Sequence, residues 1–123
     1  MKKEDLLKRT KLFAHNCVKI AAELPNNKLG QHICGQLIRS ATSVAANYRA
    51  TCIAQSGKSF IAKLSIVIEE ADESFFWLEF IQDEKLITSD FLNEIKIEAG
   101  ELTSIFIASR KTFNNKSKLL NQK

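Results

Sequence analysis

Residues 60–81 read FIAKLSIVIEEADESFFWLEFI, and the spacing of their apolar side chains sets the architecture. Phe60, Leu64, Val67, Ala71, Ser74, Leu78 and Ile81 step by four and three. That alternation keeps one stripe of a helix turned toward its neighbours, the seam of a left-handed bundle. A second apolar set, Ile61, Ile68, Phe75, Phe76, Trp77 and Phe80, lies largely outside the stripe. Successive helical positions point about 100° apart, so one pair of neighbouring helices does not bury Phe75, Phe76 and Trp77 together. Phe75 belongs near the core. Phe76, Trp77 and Phe80 are candidates for a subunit interface, where aromatic anchors concentrate; the alternative is that they wrap the edge of the bundle core.

The same rhythm recurs on either side. Leu6, Thr10, Phe13, Cys17, Ile20 and Leu24 form one seam, ended by Pro25, and Leu92, Ile95, Ala99, Leu102, Phe106, Ser109 and Phe113 form another. Between them Leu29, Ile33, Leu37, Ala41, Val44 and Tyr48 make a less regular set, flanked by Cys34, Ile38, Ala45 and Cys52. Asn26-Asn27, Ser56-Gly57 and Ser89-Asp90 supply turn and capping chemistry. Helices are therefore predicted at about 4–24, 28–54, 58–84 and 90–113, making one domain of residues 1–113. Residues 114–123 read as a basic flexible tail. Connections this short force successive helices to run antiparallel. The predicted fold is all-α, an antiparallel up-down-up-down left-handed four-helix bundle. The small residues Ser40 to Ala46 let a neighbouring helix approach closely, and Gly35 is expected to help.

Composition agrees. The chain has 123 residues, enough for one domain, and its four Gly and one Pro are too few for the turns of a β-sandwich or barrel. Its longest uncharged stretch, Leu29 to Ile38, is ten residues, against the roughly twenty apolar residues of a spanning helix. No signal-peptide core follows the N-terminus, so the expected location is cytoplasmic, with no membrane partner. Cys17, Cys34 and Cys52 fit neither a disulfide framework nor a metal knuckle and are expected as reduced core residues.

The net charge of +4 conceals a segregation. Residues 1–30 hold seven basic residues against three acidic ones, and residues 31–58 three against none. Residues 59–109 hold three against eleven, and residues 110–123 five basic residues and no acid. Two readings fit. Acidic and basic helices attract each other within or between subunits; or Lys2, Lys3, Lys8, Arg9, Lys11, Arg110, Lys111, Lys116 and Lys118 gather into one positive surface. An antiparallel bundle permits the second, because the start of the first helix and the end of the fourth share one end. Such a surface binds RNA or DNA phosphates by counterion release, without reading sequence.

The acidic cluster Glu69-Glu70-Ala71-Asp72-Glu73 invites comparison with di-iron bundles, but the Glu-x-x-His spacing they require is missing at both His15 and His32. No metal and no cofactor are expected. Glu69, Glu70 and Glu73 are instead the natural partners of Arg39 and Arg49, with Asn47 in the same polar layer between the second and third helices. No phosphate-binding glycine loop, nucleophile elbow, HExxH or catalytic triad spacing occurs, so no catalytic residue is assigned and no enzyme is expected.

The run Gln36-Leu37-Ile38-Arg39-Ser40-Ala41-Thr42-Ser43-Val44-Ala45-Ala46-Asn47, with Glu69-Glu70-Ala71-Asp72-Glu73-Ser74 and Phe76-Trp77-Leu78-Glu79, resembles the bacterial four helix bundle protein family, also called the 23S rRNA-intervening-sequence protein family. The resemblance covers nearly the whole chain. Many members carry A-E-G after the Asn, where this chain has Tyr48-Arg49-Ala50. The resemblance implies a small antiparallel bundle assembled with itself into a ring-shaped homo-oligomer, a pentamer. It extends distantly to the accessory protein of diversity-generating retroelements, a basic pentameric bundle that binds nucleic acid and a reverse transcriptase. Some family genes lie within 23S rRNA genes, and the family has no established catalytic reaction. The functional expectation is a non-enzymatic, RNA-associated homo-oligomeric scaffold, with a protein-binding adaptor as its rival.

Overall fold

The computed structural model describes residues 1–121. Four helices make up the chain: α1 (Lys3–Ala22), α2 (Lys28–Cys52), α3 (Gly57–Asp83) and α4 (Asp90–Asn121). Each packs antiparallel to the next, and α1 and α4, which close the bundle, meet least closely. The starts of α1 and α3 therefore share one end with the ends of α2 and α4.

The seams bury the residues that the spacing selects. Phe13, Cys17, Ile20, Ile33, Leu37, Val44, Leu64, Val67, Leu78, Ile81, Leu92, Leu102 and Phe106 are shut off from solvent. Aliphatic and aromatic burial of this kind contributes roughly 1.5–3 kcal/mol for each large side chain. Between α2 and α3 the packing is tightest where side chains are smallest. Ser40 and Ser74 are fully buried, their hydroxyl oxygens 3.0 Å apart, and the Ser74 hydroxyl also reaches the Glu70 carbonyl at 2.9 Å. Two hydroxyls satisfied in this way avoid the desolvation cost of an orphaned polar group.

Caps fix where helices begin. The Asn27 side chain accepts from the Gly30 amide at 2.9 Å, Ser56 from the Ser59 amide at 3.1 Å and Ser89 from the Leu92 amide at 3.1 Å. α3 ends in a Schellman turn: the Leu86 amide donates to the Ile81 carbonyl at 3.1 Å, and Lys85 takes the left-handed conformation, φ 56°, usually given to glycine.

Four expectations change. α4 does not stop at Phe113 but continues to Asn121, so residues 114–121 of the expected tail are helical, and residues 122–123 lie outside the described residues. No Gly or Pro follows Gly100, and a helix already nucleated extends at little cost. Leu29 faces solvent and Gly30 takes its place inside. A Cβ on Gly30 would lie 2.1 Å from the Pro25 carbonyl oxygen, so the turn folds back onto this position and rotates the helix start. Gly35 is exposed with nothing near it, so the close approach of α2 and α3 belongs to Ser40 and Ala41. Among the cysteines Cys17 alone is fully buried; Cys34 and Cys52 are half-buried, because their positions flank the stripe.

Candidate nucleic-acid interface

The fold turns the charge blocks of the sequence into two charged ends. At the end holding the starts of α1 and α3, Lys2, Lys3 and Lys58 stand near the end of α4, with Arg110, Lys111, Lys116 and Lys118. Lys3 borders a depression with Tyr48, Cys52, Phe60 and Phe106, and Lys116 borders another with Met1, Phe60 and Phe113. Arg110 donates to the Ser65 hydroxyl at 3.2 Å, which steadies its guanidinium across the α3–α4 seam. Among the described residues the acids near this end are Glu4 and Asp5 in the first turn of α1, since no Asp or Glu occurs between residues 31 and 68 or after Glu101. Aromatic pairs anchor it: Tyr48 against Phe106 with centroids 5.1 Å apart, and Phe60 against Phe113 at 4.8 Å. Burial, then the neighbouring Cys52, pushes the Tyr48 phenol up, so it stays neutral among the cations.

Arg9 leaves the set of candidate phosphate contacts. Its guanidinium forks onto Glu98, Nε and Nη2 each 2.6 Å from a carboxylate oxygen, and Nη2 also meets Glu101 at 2.6 Å. The Glu98 hydrogen bonds lead the causes that raise its already high pKa. This two-carboxylate clamp bridges α1 and α4, the loosest seam, and joins residues 89 and 92 positions apart. Nothing in local periodicity signals such a pair. Lys8 and Lys11 remain exposed on α1, further along the bundle. Lys58 was absent from the sequence-derived set; the acid-free stretch of residues 31–68 that contains it was the available signal.

In the polar layer Arg39 on α2 meets Glu70 at 3.0 Å and also pairs with Glu73, both on α3. The other members go elsewhere. Arg49 lies beside α1 rather than α3, Glu69 is exposed outside the ion pairs among the described residues, and Asn47 donates to Ser43 of its own helix. The rotation of α2 that turns Arg39 toward α3 places Arg49, ten residues on, about a quarter turn away.

The aromatic trio divides. Phe76 is 49% exposed, whereas Trp77 and Phe80 are half-buried against the core. His32 meets the Trp77 ring edge-on at 5.7 Å, and the buried Trp77 Nε1 has no hydrogen-bond partner among the described residues. On another face, α1 and α2 border an apolar trough of about 490 Å³ floored by Leu7, Ala14, Val18 and Ala45, with Lys11, His15 and Arg49 along it. Burial drives the Cys17 thiol far up, which keeps it protonated and unreactive. Among the described residues no three His, Cys, Asp or Glu side chains come together as metal ligands would, and no helix is long and apolar enough to cross a membrane.

Comparison with curated proteins finds no match. Among solved structures, a protein of unknown function from the S23 ribosomal protein family of Bacteroides thetaiotaomicron is similar, with a TM-score of 0.78 and 31% sequence identity over 85% of this chain and 97% of that one. A family model described as 23S rRNA-intervening sequence protein matches residues 2–108, which include all three turns. On this match over most of its length, the chain belongs to the 23S rRNA-intervening sequence protein family.

Proposed function

We propose that the protein is a non-catalytic scaffold that associates with copies of itself, in a homopentameric ring, and grips structured RNA by the basic end of its bundle. The observation that carries the RNA reading is the placement of Lys2, Lys3, Lys58, Arg110, Lys111, Lys116 and Lys118 at one end. Helix stability accounts for the cations near the end of α4 but not for Lys58. The N-terminus of α3 carries the positive pole of its macrodipole and favours acids, yet its first turn has none and includes Lys58. A surface kept basic against that preference suits phosphate. Repetition of the patch around an oligomer multiplies modest contacts through effective concentration. The exposed ring of Phe76 supports self-association and equally supports a rival role as a protein-binding adaptor that ignores nucleic acid.

The test is a gel shift with a 23S rRNA fragment and a DNA duplex of equal length across a range of potassium chloride. Binding is expected to weaken steeply with salt, by about 0.7–0.9 log units per log unit of salt for each phosphate contacted. Reversal of three charges, Lys58→Glu, Lys111→Glu and Lys116→Glu, is expected to cut affinity at least about tenfold and flatten the slope by about two to three. Salt-insensitive binding, or none, favours the adaptor.

A further inference from the structure

Two features on different faces of the bundle match each other. The α1–α2 trough is shallow because α2 contributes Thr42, Ala45 and Ala46 to it, and small residues form the grooves into which the ridges of another helix settle. Lys11, His15 and Arg49 line it, with no acid among its lining residues. On α3 the positions Ala62, Ile66, Glu69, Glu73 and Phe76 step by four, three, four and three, a second seam that the bundle leaves outside. Ile66 is 42% exposed and Phe76 49%, with exposed Glu69 and Asp72 between them. Glu73 on this ridge is paired with Arg39.

We propose that the α3 ridge of one copy seats in the α1–α2 trough of a second copy, so that every protomer offers one trough and one ridge. This rests on the self-association reading and specifies its surfaces. Length agrees: Ile66 and Phe76 are ten residues apart, about 15 Å along a helix, and Leu7 and Val18, at the two ends of the trough on α1, are eleven apart, about 16 Å. Charge agrees: Glu69 on the ridge and Asp72 beside it would meet Lys11 and Arg49 in the trough. The symmetric alternatives are opposed by the same charges. Trough against trough sets Lys11 and Arg49 facing their own copies, and ridge against ridge does so with Glu69 and Asp72, a juxtaposition that costs binding energy. A head-to-tail contact of unlike surfaces closes into a ring or runs on as a filament, and does not stop at two copies.

Light scattering on the full chain and two variants tests this. Phe76→Glu spoils the ridge and leaves the trough; Ala46→Trp fills the trough at an exposed position and leaves the ridge. Each alone is expected to associate at least tenfold more weakly than the parent chain, whereas an equimolar mixture forms a dimer, since one sound trough and one sound ridge remain. A charge pair checks the outcome without bulk: Lys11→Glu and Glu69→Lys each weaken association, and the double variant recovers it. Parent chain and variants of equal oligomeric mass, or a mixture that stays monomeric, overturn the trough-to-ridge pairing while self-association stands. A parent chain that is monomeric at tens of micromolar overturns self-association itself.

Discussion

At one end of the bundle Lys3 borders the Tyr48–Phe106 ring pair and Lys116 the Phe60–Phe113 pair, with Lys58, Arg110 and Lys111 toward the same end of α3 and α4. At the other, Glu23, Glu79, Asp83, Glu84, Asp90 and Glu94 outnumber Lys19, Lys28, Lys85 and Lys96 around two tight turns. α3 joins them with its charges set against its dipole at both poles: Lys58 and no acid in its first turn, Asp83 and no base in its last. Each misplaced charge costs a few tenths of a kcal/mol or more, so in α3 the polarity is held against local preference, whereas α4, with Asp90 at its start and Lys118 near its end, follows it. The two ends hold together by different means. The basic end resists its own repulsion through aromatic packing; the acidic end relies on backbone geometry, in the Gly30 approach to Pro25 and the Lys85 turn.

The sharpest way to break the basic end is Phe106→Ala. Removing a fully buried ring that stacks on Tyr48 is expected to cost about 3–5 kcal/mol in urea unfolding. A loss below about 1 kcal/mol would show that aromatic packing is not what contains the repulsion.

At the acidic end, two glycines of one helix are expected to respond oppositely to alanine. Gly30→Ala drives a methyl group against the Pro25 carbonyl and is expected to destabilise by about 1–3 kcal/mol, the usual range for overpacking. Gly35→Ala meets open space and is expected to stabilise by about 0.5–1 kcal/mol through helix propensity. Equal effects at both, in thermal melts, would remove the backbone approach as the device that sets this turn.

The most salt-sensitive effect concerns the clamp between the ends. Arg9→Ala is expected to lose about 1 kcal/mol at low salt and less at high salt, because the pair is partly exposed and screened. Glu98→Ala combined with it is expected to cost less than the two separate losses, as for any contacting pair. Additive losses would place the α1–α4 seam's support elsewhere.

Much of this was legible beforehand. The seams of α1, α3 and α4, the caps at Asn27, Ser56 and Ser89, and the pairing of Arg39 with the α3 carboxylates follow from residue spacing and capping chemistry. What escaped was longer in range or set by one close contact. Leu29 and Gly30 exchange roles because a single carbonyl approaches the helix, and Arg9 finds carboxylates 89 and 92 residues away. Arg49 lies on the α1 side because the ten residues that separate it from Arg39 carry it about a quarter turn round α2.

By itself the sequence determined that there are four helices, where their turns fall and how many charges each carries, because period, caps and composition act within a few residues. Only the tertiary structure decided that those charges separate end from end, that Arg9 closes a seam instead of meeting solvent, and that an apolar trough and an acidic ridge lie on different sides. Antiparallel pairing brings positions fifty to a hundred residues apart to the same level of the bundle, and no pattern within one helix records which positions those are.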